Sequence, residues 1–119
     1  MRLVWVGVGG AVGSVLRYAV SLAFSGSVFP WATLVVNIVG SLFIGFVFTA
    51  FLGRWSGSLM TGLTVGVLGG FTTFSTFAWE GLTEIQSGRS AAAAAYIGAS
   101  IVGGLVAAWL GYLAGRALH

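Results

Sequence analysis

The chain has 119 residues, of which only five are arginine and two glutamate; it has no lysine, aspartate or cysteine. It is 58% hydrophobic with a mean hydropathy of +1.05, where a soluble domain carries about a quarter of its residues as charges. A chain this short has too much surface per volume to hide that much apolar area from water, so the surrounding solvent is lipid, and a soluble enzyme, a nucleic-acid binder, a disulfide scaffold and a disordered chain are excluded together.

In a bilayer only helices and closed barrels satisfy every backbone group. The apolar runs are continuous rather than alternating, so they read as helices, each needing about 20 residues to cross. The first predicted span covers residues 3–24 and ends at Ser25-Gly26-Ser27. Arg2 and the run Ala-Val-Ser-Leu-Ala would also suit a signal peptide, but the whole chain is apolar and the segment reads as a retained helix. The second span, 31–52, starts behind Pro30, which suits a helix start because its missing N–H is not needed there. Asn37 lies midway along it, with Thr33 one turn before and Ser41 one turn after.

The third span, 59–85, contains Gly69-Gly70-Phe71-Thr72-Thr73-Phe74-Ser75-Thr76-Phe77. Paired glycines followed by hydroxyl residues are poor helix formers, so a break in mid-membrane is predicted. Freed carbonyls there could bind a small hard cation, as in broken transporter helices; a small-residue packing face is the simpler alternative. Glu84, near the membrane edge, is expected to be solvated. After the turn Gln86–Arg89, the fourth span covers 90–114, with Tyr96 and Ser100 on one face. The resulting fold class is an all-α integral membrane protein with four transmembrane helices in one domain, 1–119. Trp5, Trp31, Trp55 and Trp109 fall near span ends, as interfacial belts require. Small residues four apart (Gly9/Gly13, Ser41/Gly45, Gly62/Gly66/Gly70, Gly111/Gly115) predict close helix crossings.

Polar residues inside a span are costly and point to function. Asn37 has two donor hydrogens for a ligand or for an interhelical bond. Phe74 and Phe77 share a helical face, and ring edges carry partial positive charge; an ordinary apolar pair is the alternative. Arg17 could draw anions into a vestibule. Glu80 could pair with Arg17 or anchor the helix that carries the phenylalanines. His119 is the single histidine and the last residue, so no histidine metal cluster or Ser-His-Asp triad can be built, and no enzyme is expected. With four spans, Arg2, Arg54 and Arg116 share one side of the membrane, against Arg89 and Arg17. Such a weak bias allows insertion in both orientations.

The run from Gly69 to Phe77 with Glu80 after it resembles the signature of the Fluc (CrcB) fluoride channels. Gly9-Gly10-Ala11-Val12-Gly13 with Arg17-Tyr18 resembles it too, as does Trp31-Ala32-Thr33 with Val36-Asn37-Ile38-Val39-Gly40-Ser41 and Gly45-Phe46. The resemblance covers all four spans in order. It implies an antiparallel, dual-topology homodimer with two fluoride pores at its interface and a structural Na⁺ at its centre, held by the backbone carbonyls of Gly69 and Thr72. It further implies that Phe74, Phe77 and Asn37 line the pore, with Ser75 and Thr76 in the same region. Thr33, Tyr96 and Ser100 match the polar track, Arg17 the basic residue of the first helix, and Glu80 the carboxylate after the Phe motif. One departure is Gly104, one turn past Ser100, where the family often carries another hydroxyl.

Fluoride is strongly hydrated, and neutral donors can replace its water without holding it too tightly. The function implied is passive export of cytoplasmic fluoride across a bacterial plasma or inner membrane. A small proton-coupled multidrug exporter has similar length, but it needs an intramembrane acid that the first span lacks. A non-transporting accessory membrane subunit is the other alternative.

Overall fold

The computed structural model describes residues 1–51 and 53–118; Leu52, at the end of the second predicted span, and His119 lie outside the described residues. The described chain is helical, in the order α1 (Arg2–Ala23), α2 (Trp31–Phe51), α3 (Gly57–Thr61), a π-helical stretch (Gly62–Leu68), α4 (Gly69–Phe71), α5 (Phe74–Gln86) and α6 (Ser90–Arg116). Among the described residues, four helical segments are long and apolar enough to cross a membrane: Arg2–Ala23, Trp31–Phe51, Gly57–Gln86 and Ser90–Arg116. The chain is thus a multi-pass membrane protein. Its buried core is narrow, with Tyr96 and Val36 the largest side chains wholly enclosed, while Leu3, Val15, Val65, Val102 and Leu105 stay exposed for lipid or another chain to cover.

The connections follow local chemistry. Gly26, Gly53 and Gly88 all have positive φ, the left-handed conformation in which a Cβ would be strained. Ser56 caps α3 by accepting from the Leu59 amide. At the end of α5 the Gly88 N–H donates to the Ile85 carbonyl and the Arg89 N–H to the Glu84 carbonyl, at 3.1 and 3.0 Å. That is a Schellman closure with glycine at its left-handed position.

Glycine decides which helices touch. α1 packs along the first half of the third span, and α2 packs along α6. A Cβ on Gly13 would collide with the Val67 carbonyl oxygen, and one on Gly9 with the Gly62 carbonyl oxygen. In the other pair, a Cβ on Gly45 would strike the Ala108 carbonyl and one on Gly111 the Leu42 carbonyl. Backbones therefore meet directly. Lipid supplies no hydrophobic drive between helices, so such close packing is a main source of their association.

The π-helical stretch was not legible in the sequence. Its wide turn ends where the Gly69 N–H reaches the Thr64 carbonyl, five residues back. The following interruption is short. Thr72 (φ −86°, ψ 158°) and Thr73 (φ −154°, ψ 125°) are extended, and α5 begins at Phe74.

Candidate functional site

Side chains from α2 and α1 hold the chain at the interruption, one at Thr73 and one at Gly70. Asn37, on α2, donates from Nδ2 to the Thr73 carbonyl at 3.1 Å and accepts from the Thr73 N–H at Oδ1 at 3.0 Å. This pairing satisfies main-chain groups that the helix no longer serves. One Nδ2 hydrogen of Asn37 remains available, since the amide carries two. Arg17, on α1, donates from Nε to the Gly70 carbonyl at 3.1 Å. Gly40 makes room for the break: a Cβ there would collide with Cγ2 of Thr72.

In an unbroken helix the amide of residue i+4 answers the carbonyl of residue i. Here the Thr73 amide is diverted to Asn37. The Thr76 amide is diverted to Oγ1 of Thr73, the cap of α5, at 3.3 Å. The carbonyls of Gly69 and Thr72 thereby lose their helical donors. Both are neutral, hard oxygens, the type that suits a small hard cation. The Thr72 side chain turns back onto the Leu68 carbonyl at 2.9 Å, so Thr72 presents its main chain to the break.

Two cavities flank this point and Thr73 lines both. The first, about 310 Å³, is bounded by Asn37, Ser41, Gly69, Thr72 and Phe74 among others. The second, about 290 Å³, takes in Arg17, Thr33, Thr76 and Glu80. Asn37, Gly69, Thr72 and Phe74 thus line one cavity and Arg17, Thr33, Thr76 and Glu80 the other, while Ser75, Tyr96 and Ser100 line neither. Phe77 lines neither cavity. It lies between Phe74 and Tyr96 in tilted ring contacts, with centroids 5.7 and 5.2 Å away. Phe74 is 77% exposed, and Ser75 is exposed beside it, its Oγ 3.4 Å from Oγ1 of Thr73.

Glu80 and Arg17 line the same cavity but engage different partners. Glu80 Oε1 accepts from the Thr33 hydroxyl and, at 3.3 Å, from the Tyr96 hydroxyl. Of the two roles open to Glu80, the geometry is that of an anchor tying α5 to α2 and α6. Tyr96 is wholly buried at this junction. Ser100, one turn further along α6, has its Oγ buried without a hydrogen-bond partner among the described residues.

Glu84 departs from expectation. It is only 4% exposed, not solvated, and forms a two-point ion pair with Arg89: Nε to Oε2 at 2.8 Å and Nη2 to Oε1 at 3.3 Å. The Glu84 carboxylate holds the Arg89 guanidinium above its ordinary pKa, mainly through this hydrogen bond. Hydropathy alone could not reveal the pair, because it depends on the Schellman turn that folds Arg89 back over Glu84. The Ser87-Gly88-Arg89 triplet was the available signal.

Residues 4–112 match the family described as CrcB-like protein, Camphor Resistance (CrcB). Among similar proteins is a fluoride-specific ion channel FluC from Thermus thermophilus, 46% identical over 121 residues that cover 98% of this chain and 97% of the relative. A protein of the same name from Geobacter sulfurreducens is 42% identical over 118 residues, covering 95% of each chain. Another, from Hydrogenovibrio crunogenus, is 41% identical over 121 residues, covering 98% of this chain and 92% of its own. The likeness spans all four membrane-crossing segments, and by it this chain belongs to the CrcB family.

Proposed function

We propose that this chain is a fluoride-selective ion channel that lets cytoplasmic fluoride leave passively through a bacterial plasma or inner membrane. The observation that carries this reading is the clamp of Asn37 on Thr73. It holds a membrane-spanning helix open beside two phenylalanine rings, in a chain whose relatives are named fluoride-specific ion channels. The groups beside the helix break that face the ion carry no formal charge. The spare Asn37 hydrogen, the Thr76 and Ser75 hydroxyls and the edges of Phe74 and Phe77 are weak donors, able to replace hydration without trapping the ion.

Four spans of one chain enclose no more than open grooves, so the conducting unit is a pair. The two copies insert in opposite orientations, which the even spread of arginines favours. Two pores run along their interface, lined by Phe74, which is exposed in the single chain. The polar track continues through Thr33, Tyr96 and Ser100, with Arg17 and Glu80 at its vestibule. The Gly69 and Thr72 carbonyls of each copy would hold a sodium ion at the centre. The diverted amides of Thr73 and Thr76 support that assignment. An ion held there would supply fixed positive charge between the interrupted helices.

Liposome efflux tests the reading. Purified chain reconstituted in fluoride-loaded vesicles is expected to release fluoride rapidly and to leave chloride inside. No fluoride release from vesicles that contain folded protein would overturn it. Tags on the N-terminus reachable from both sides of the vesicle membrane are the expected sign of the inverted pair, and transfer to sodium-free buffer is expected to weaken efflux.

A further inference from the structure

A groove of about 190 Å³ runs between α1 and the first half of the third span, with Trp5, Val8 and Val12 on one wall and Leu59, Leu63 and Val67 on the other. At its base Gly9 and Gly62 bring the two backbones together: a Cβ on Gly9 would collide with the Gly62 carbonyl oxygen. None of the lining residues is charged. The groove lies apart from the helix break, because Thr64 and Leu68 line the cavity at the break whereas Leu63 and Val67 line this groove. Arg2 stands at its outer end, one turn before Trp5 on α1. A Cβ on Gly57 would strike the Arg2 guanidinium, so glycine there lets that side chain lie against the start of the third span, two residues before Leu59. Neither glutamate of the chain neutralises Arg2: both lie on α5, Glu84 with Arg89 and Glu80 with Thr33 and Tyr96. Arg54, three residues before Gly57, adds positive charge to the same membrane edge.

We infer that this groove binds one anionic phospholipid, with its headgroup phosphate at Arg2 and one acyl chain laid along the apolar walls. The charge and the groove are arranged in the order of the parts of a lipid. The guanidinium is at the membrane edge, where a phosphate sits, and its fork of donors suits that group. From Trp5 to Val12 the wall runs inward for about 10 Å of helix, within one leaflet of a hydrocarbon core about 30 Å thick. A helix, about 10 Å across with its side chains, is too wide to lie in it, whereas a single hydrocarbon chain is narrow and flexible enough. Any acyl chain fills an apolar groove equally well, so the selectivity comes from the arginine. One such cation near the membrane surface favours an anionic over a zwitterionic headgroup by about five-fold.

Trp5 lines the groove and reports on it. The full chain is reconstituted in vesicles of phosphatidylglycerol and phosphatidylcholine with matched acyl chains, and quenching bromine is carried on the chains of one lipid or the other. The Trp5 contribution is the difference from Trp5→Phe. Brominated phosphatidylglycerol is expected to be favoured at Trp5 by about five-fold in relative association constant. Trp109, exposed on α6 and measured against Trp109→Phe, is expected to respond to both lipids alike. Arg2→Gln is expected to bring the two lipids near parity at Trp5, and Arg2→Lys to keep the preference. Free phosphate carries no bromine and cannot give the signal. Equal quenching of Trp5 by the two lipids in the unaltered chain would overturn the inference, as would a preference just as large at Trp109 or one that survives Arg2→Gln. Trp5 quenched by neither lipid would mean that a second copy covers the groove, which also overturns it. The measurement involves no fluoride, so its outcome is separate from that of the channel reading.

Discussion

The side-chain amide of Asn37 pairs with the main chain of Thr73 at two points, 3.1 and 3.0 Å, as one strand residue pairs with another. One side chain thus supplies both the donor and the acceptor that an extended residue needs inside a membrane. A leucine at position 37 would leave both part-buried Thr73 groups unserved, at no more than about 1–3 kcal/mol for each. Asn37→Leu is expected to lower the melting temperature in detergent and abolish fluoride efflux. Asn37→Asp retains the acceptor but loses the donor, and is expected to fold better than Asn37→Leu while still conducting at least about ten-fold less than the unaltered chain. Unchanged efflux in either variant would show that the clamp does not support conduction.

Phe77 lies between Phe74 and Tyr96. Phe77→Ile keeps an apolar side chain but removes the ring edge and its positive rim. The expected result is a sharp drop in fluoride efflux with no change in elution volume on gel filtration. A variant that conducts normally would remove Phe77 from the pore lining.

Helix contact is expected to fail at one glycine and not at another. Gly13→Ala puts a Cβ against the Val67 carbonyl of a facing backbone, and overpacking of this kind costs about 1–3 kcal/mol. Gly7, on the same helix, has nothing within 4 Å of a built Cβ. Gly7→Ala is expected to be neutral or slightly stabilising, since alanine is the better helix former by about 1 kcal/mol. Thermal unfolding in detergent compares the two, and equal melting temperatures would contradict the direct backbone contact.

Thr33 and Glu80 share a hydrogen bond, whereas Arg17 is bonded to Gly70. In double-mutant cycles on unfolding free energy, Thr33→Val with Glu80→Gln is expected to be non-additive by more than about 0.5 kcal/mol. Arg17→Gln with Glu80→Gln is expected to add within about that amount. The reverse ranking would mean that the arginine and the carboxylate act as a pair.

Much of the architecture was open to reading from composition and local order. Four apolar runs of spanning length, divided by glycine-rich turns, led to an all-helical membrane chain because lipid leaves the backbone few ways to satisfy its own hydrogen bonds. The glycine spacings marked the crossing faces for the same kind of reason: a side chain that is missing cannot keep two backbones apart. Asn37, Arg17 and Glu80 were found because polar groups are rare in these spans, whereas the roles of Gly69, Thr72, Ser75 and Thr76 came from the family resemblance.

Partnership was a different matter. Asn37 and Thr73 are 36 residues apart and Arg17 and Gly70 are 53 apart, so no local pattern could join them. Asn37 had an interhelical bond and a ligand equally open to it until the packing of α2 placed it beside Thr73. Arg17 and Glu80 looked like natural partners by charge, yet the crossing of α1 over Gly70 and the closeness of Thr33 and Tyr96 to Glu80 directed them apart. Glu84 looked like a solvated edge residue until a left-handed glycine turned Arg89 back over it. By itself the sequence determined the solvent, the helices and which rare polar groups had to be satisfied, because these depend on composition and spacing along one element. Only the tertiary structure decided which group satisfies which, because that depends on distances between elements that meet only when the chain is folded.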